Sequence, residues 1–151
     1  MTTMLIEQTN GASETTAAPA TSEKGTTTQP GYRGLRVWQR AVDLGVEVYQ
    51  LTRAFPKSEQ YALTTQLRRA ATSVVGNIAE GNARYAVREY THHLAIAHGS
   101  TAEVEALVHL ATRLGYATEA ASAPVLTLCA EVGRMLRSLT KVLQSPPKGR
   151  S

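Results

Sequence analysis

Apolar residues recur at three- and four-residue steps from Leu35 to Leu143, the period of helices with one buried face. Val37, Trp38, Ala41, Leu44, Val48 and Leu51 share one side and predict a first helix over 35–54. Pro56 stops it, and Ser58 is positioned to cap the next. Leu63, Leu67, Ala70, Ala71, Val74 and Ile78 predict a second helix over 59–81. Gly81 is expected to end it in a left-handed turn, with Asn82 capping the third helix. Tyr90, Leu94, Ala97, Thr101, Val104, Leu107, Val108, Ala111 and Leu114 predict that third helix, starting within 83–86 and ending at Gly115. Gly99 lies inside that pattern at a cost of about 1 kcal/mol relative to Ala, which predicts a packing reason for it. Val125, Leu128, Cys129, Val132, Met135, Leu136, Leu139, Val142 and Leu143 predict a fourth helix reaching about residue 144. A start at Thr118 puts Pro124 past the first turn, where it removes a backbone bond; a start at Ser122 avoids this. A weak or kinked first turn between those limits is expected. Short connections make successive helices antiparallel. The expected fold is all-α, an up-down-up-down four-helix bundle.

The second helix is unusual on its outward side. The stretch "RRAATSVVGNIAEGNAR", residues 68–84, is crowded with small residues where an ordinary solvent face carries long charged ones. Thr72, Ser73, Gly76 and Ala79 permit close backbone approach from more than one direction. One reading is a second subunit against this face. Gln66, Ser73, Gly76, Asn77 and Glu80 are then oligomer or bundle contacts in a homo-oligomer. The opposing reading, weighed equally, is that small residues are good helix formers and Glu80 is solvated.

Composition sets the limits around this bundle. Residues 1–33 are rich in Thr, Ala, Gly and Pro and have little to bury, so a disordered arm is expected before a domain over 34–144. Residues 145–151, with Lys148 and Arg150, are expected as a disordered basic tail. One cysteine excludes an internal disulfide and a multi-Cys metal site, and the apolar neighbours of Cys129 make it a core residue. No apolar run approaches the roughly 18–20 residues of a membrane span, and no secretory leader is read, so a cytoplasmic protein without membrane contact is expected. Net charge is +4, and residues 34–144 carry 12 basic against 9 acidic side chains, so the tails do not create the basic character.

Catalytic motifs are missing. Glu89 and His92 make one Glu-x-x-His step, where a di-iron bundle needs two. No nucleophile elbow, phosphate loop or dinucleotide fingerprint is present. A non-enzyme without metal or cofactor is expected. The basic residues are more suggestive. Arg68 and Arg69 are adjacent, Arg84 and Arg88 lie one turn apart, and Arg134, Arg137 and Lys141 share a face of the fourth helix. These seven are the candidate contacts to an RNA or DNA backbone. The opposing reading pairs the arginines with Glu80, Glu89, Glu103 and Glu131. No recognition helix or stacking aromatic points to sequence-specific reading.

"QLRRA" at 66–70, "NIAEG" at 77–81, Arg84 and Gly99-Ser100, in that order, are the most specific pieces of a wider likeness over residues 34–143. On these pieces the chain resembles the four-helix-bundle family encoded in intervening sequences of bacterial 23S ribosomal RNA genes. It is more distantly similar to the accessory variability determinant of diversity-generating retroelements, a basic pentamer that works beside a reverse transcriptase. The resemblance implies a ring-like homopentamer and association with structured RNA or DNA. It also leaves Arg68 and Arg84 two roles, holding the bundle or ring together or touching ligand. Residues 1–33 and Pro124 depart from the family pattern. The leading expectation is a non-catalytic, homopentameric scaffold associated with nucleic acid. The alternative is a protein–protein adaptor, such as an accessory subunit of a reverse transcriptase.

Overall fold

The computed structural model describes residues 31–149. They form four helices, α1 (Arg36–Thr52), α2 (Leu63–Asn82), α3 (Val87–Arg113) and α4 (Glu119–Gln144), and no strand among the described residues. Most of the arm expected over 1–33, and Arg150 and Ser151 of the tail, lie outside the described residues. Gly31–Gly34 forms a short 3-10 turn in which Tyr32 meets Trp38 edge-on at 5.1 Å, so the fold begins ahead of the expected boundary.

Each helix packs on two others. α1 touches α2 and α4, α3 touches α2 and α4, and the diagonal pairs stay apart. The periodic apolar stripes meet in two layers. One gathers Leu44, Val48 and Leu51 of α1, Leu63, Leu67 and Ala71 of α2, Val104 and Val108 of α3, and Val125 and Cys129 of α4. The other gathers Val37 and Ala41 of α1, Val74 and Ile78 of α2, Leu94 and Ala97 of α3, and Val132 and Leu136 of α4. Aliphatic side chains of this kind fill an interior without needing polar partners.

The connections differ from expectation where a side chain outcompetes the predicted signal. Ser58 does not cap α2. Lys57–Glu59 forms a separate 3-10 turn, and α2 begins at Leu63, whose N–H donates to Glu59 Oε2 at 3.3 Å. The longer carboxylate reaches the first turn and also accepts from the Tyr116 hydroxyl at 3.2 Å. Gly115 does end α3 with φ +79°. The N–H of Gly115 donates to Thr112 O and that of Tyr116 to Ala111 O, the paired bonds of a Schellman motif. Thr118 caps α4, its hydroxyl accepting from the Ala121 N–H at 3.1 Å. The early start is therefore the one adopted, with Pro124 inside an unbroken α4. Two features offset its missing donor. Pro124 is exposed, and so is Ala120, whose carbonyl it leaves without a donor. Ser122 is buried, and its hydroxyl meets Thr112 at 2.8 Å, tying the first turn of α4 to α3.

Gly81 is corrected too. It does not turn left-handed; it is a buried residue within α2. A Cβ there would stand 2.9 Å from His93 Cβ and 2.9 Å from Tyr90 Cδ2. The glycine permits α2 and α3 to touch. Asn82 is not the cap of α3 either: it ends α2 and donates to the Tyr90 hydroxyl at 3.2 Å, while Ala86 precedes α3 with no side-chain cap. Gly99 finds no packing reason within the chain, since a Cβ there meets nothing within 4 Å.

The core is open to two tests. Gly81→Ala lowers the urea midpoint by the equivalent of about 1–3 kcal/mol without changing the slope, because His93 Cβ can move only with its helix. Burial, with Glu105 adding to it, pushes the Cys129 thiol from 9.0 up to about 12. The folded chain keeps a proton that the unfolded chain releases, so this contribution to stability is intact below pH 9 and falls as pH rises towards 12. Urea unfolding across that window shows wild type losing stability relative to Cys129→Ala.

Candidate nucleic-acid interface

The core stripe of α4 runs through Val125, Cys129, Val132 and Leu136, which turns Arg134, Arg137 and Lys141 to the outside. All three are exposed. They line a groove of about 650 Å³ between α3 and α4, with Leu94 and Leu136 beneath and His98, Ala95, Thr140 and Gln144 around it. No carboxylate lines this groove. Arg137 Nη1 lies 3.2 Å from His98 Nε2. A guanidinium only donates, so His98 Nε2 is the acceptor in this contact.

Glu131 explains why this ridge keeps its charge. It was a candidate partner for the α4 arginines, but Arg40 of α1 takes it with both ends of the guanidinium, Nε to Oε1 at 2.9 Å and Nη2 to Oε2 at 2.7 Å. Arg40 also donates to Asp43 at 2.7 Å. The hydrogen bond from Arg40 is the main cause that holds the Glu131 carboxyl below its ordinary range, and Arg36 and Arg134 add to it from nearby. A bidentate pair fixes geometry as well as charge. Among the described residues, no ion pair engages Arg134, Arg137 or Lys141.

The remaining basic candidates separate. Arg84 and Arg88 line a hollow of about 520 Å³ with Glu89, His92 and His93. Arg84 is neutralised there by Glu80 at 2.6 Å, whereas Arg88 has no ion pair among the described residues. Arg68 donates through Nε to Thr52 Oγ1 at 2.9 Å and lies 4.6 Å over the Tyr49 ring, so it ties α2 to the end of α1. Of its two expected roles, the structure shows the bundle-holding one. Arg69 is exposed on the outer side of α2, away from the α4 ridge.

The candidate oligomer or bundle contacts fall mainly on the seam between α2 and α3. Ser73 meets Ser100 at 2.9 Å, and Asn77 donates to Ser73 O while its Oδ1 accepts from His93 Nδ1 at 3.0 Å. Gln66 donates to Glu103 at 3.3 Å, and Glu80 lies 3.8 Å from His93 Nε2. Gly76 is different: it is exposed, and a Cβ there meets nothing within 4 Å. Two residues of interest escaped the sequence reading. His98 enters the groove from another helix, which no spacing along one helix could signal. Tyr85 is 105% exposed in the turn between Arg84 and Arg88, a position visible as an aromatic between two cations.

Among the described residues, no group of three or more His, Cys, Asp or Glu side chains is placed to hold a metal ion, and no helix is long and apolar enough to cross a membrane. No curated protein matches the chain. A solved structure of a protein with unknown function from the S23 ribosomal protein family of Bacteroides thetaiotaomicron matches with a TM-score of 0.63. The likeness covers 70% of this chain and 98% of that one at 21% identity, which establishes the shared fold. The profile of the 23S rRNA-intervening sequence proteins matches residues 33–138. With about two thirds of its length matched, and the whole of the helical core before the end of α4, the chain belongs to the 23S rRNA-intervening sequence protein family.

Proposed function

We propose that this chain is a non-catalytic, homo-oligomeric scaffold of antiparallel helices that associates with the backbone of RNA or DNA. The carboxylate-free groove of Arg134, Arg137, Lys141 and His98 is the observation that carries the reading. Cations outside ion pairs release counterions when they meet phosphates, and a groove with an apolar floor raises the potential at its rim. The up-down-up-down order is supported by the two core layers, in which the late part of α1 meets the early part of α2, and the late part of α3 the early part of α4.

Assembly is supported by the outer faces of α2 and α3. Thr72 and Gly76 of α2, Ala83 just past its end, and Ala95, Gly99, Ala102 and Ala106 of α3 are exposed and small. Ile96 and Leu110 stand among them at 39% and 48% exposure. Helical glycines at 76 and 99 weaken their helices without any contact in the chain to explain them. A neighbouring copy seated there supplies the missing reason, and the family resemblance implies that the copies close as a ring of five. Multiplying the α4 ridge around a ring makes a large positive surface from a modest one. The competing reading, an adaptor for a protein such as a reverse transcriptase, draws on the exposed Leu110 and Leu114. It predicts an oligomer indifferent to nucleic acid.

Reversing Arg134, Arg137 and Lys141 together to Glu weakens binding to a labelled mixed-sequence RNA or DNA. It also reduces the slope of log K against log salt by about two to three per chain, read by fluorescence anisotropy. Unchanged affinity would remove this face as the contact. Gly76→Leu lowers the mass measured by light scattering while the helical circular dichroism is kept, and an unaltered mass would return that face to solvent.

A further inference from the structure

The corner between α2 and α3 carries an aromatic that the fold does not use. The chain has six tyrosines. Tyr32 packs on Trp38, Tyr49 lies under Arg68, Tyr90 accepts from Asn82, and Tyr116 packs on Phe55 and donates to Glu59. Tyr61 and Tyr85 are left uncovered, at 90% and 105% exposure. Tyr85 stands apart from Tyr61 by its setting. Arg84 precedes it in the connection, Arg88 follows in the first turn of α3, and the hollow those two arginines line also holds His92 and His93. A fully exposed aromatic ring keeps apolar faces in water that a planar partner can cover.

We infer that Tyr85 is a stacking platform for a base of a single-stranded nucleic acid, with Arg88 placed for the adjoining phosphate. The inference rests on the nucleic-acid reading above and narrows its ligand to a strand with unpaired bases. Every base has a π-face, so such stacking is tolerant of sequence. A duplex keeps its bases stacked on one another and offers the ring nothing comparable. The charges at the corner assign the labour. Glu80 neutralises Arg84, and Glu89 lines the same hollow, so the corner has little net positive charge to attract a backbone. The α4 ridge supplies that attraction, and Tyr85 supplies the discrimination. The two sites adjoin along α3: His92 lines the corner hollow and Ala95 the α4 groove, about 4.5 Å apart along the helix axis. A strand held on Arg137 and Lys141 thus passes Ala95 and His92 to reach Arg88 and Tyr85.

The test compares full-length wild type, Tyr85→Ala, Tyr85→Phe and the Arg134, Arg137 and Lys141 triple reversal. Each is titrated by fluorescence anisotropy against one labelled mixed-sequence oligonucleotide, as single strand and as duplex. Tyr85→Ala weakens single-strand binding about tenfold and leaves duplex binding unchanged, Tyr85→Phe retains wild-type affinity, and the triple reversal weakens both. A single strand carrying 5-iodouracil, irradiated in the complex, crosslinks to Tyr85 in the peptide map. Undiminished single-strand binding by Tyr85→Ala, or an equal loss on duplex, overturns the platform while a loss in the triple reversal leaves the scaffold standing. Wild type that binds neither form overturns both. A changed mass of Tyr85→Ala in light scattering overturns the platform by making Tyr85 a subunit contact.

Discussion

The close approach of α2 to α3 at Gly81 is the constraint on which this end of the bundle depends. With His93 Cβ and Tyr90 where a side chain at 81 would be, only glycine lets the two helices meet. That proximity brings His93 within reach of Asn77 and Glu80, and Ser100 within reach of Ser73. These bonds satisfy polar groups that the contact has partly buried, as a tight seam requires. The seam also leaves the turn at 83–86 exposed, where Arg84 and Tyr85 stand away from the core, with Arg88 exposed in the first turn of α3.

Charge is arranged by a second constraint on the opposite side of the bundle. Arg40 and Asp43 of α1 and Glu131 of α4 form one ion-paired group, which satisfies Glu131 from across the interface. The pair is partly exposed, so its contribution to stability is modest and its effect on orientation matters more. Its consequence is electrostatic. Were Glu131 bonded within α4, it would neutralise Arg134; bonded to Arg40, it leaves the ridge from Arg134 to Lys141 without a paired carboxylate among the described residues.

How much of this was legible depends on the kind of signal each feature leaves. Apolar periodicity located all four helices and nearly all of the core, because a buried stripe on Val132 and Leu136 needs only the helical period. Gly115 was legible because its left-handed φ restricts residue type. Gly81 was misread because a glycine at a helix end looks the same whether it turns the chain or admits a neighbour. Ser58 was misread because Glu59 reaches the same donor from the adjoining position. The small residues of α2 divide between causes that one sequence cannot separate. Ser73 and Asn77 serve α3, while Gly76 faces outward. Among the basic residues, charge was readable and partnership was not. Thr52 and Tyr49 claim Arg68 from 16 and 19 positions away, a separation no local pattern reports. Tyr85 lacked any signal but its flanking arginines until its full exposure was known.

In the proposed scaffold, assembly and polyanion binding belong together, and absolute mass measures both at once. Light scattering of the full chain is recorded alone and with a pool of short single-stranded RNA and DNA, across a salt series. The expected result is an oligomer by itself, a larger mass with nucleic acid at low salt, and return to the first mass as salt rises. An oligomer whose mass ignores the polymers at every salt concentration would contradict the nucleic-acid role, and a monomer would contradict the assembly on which it rests.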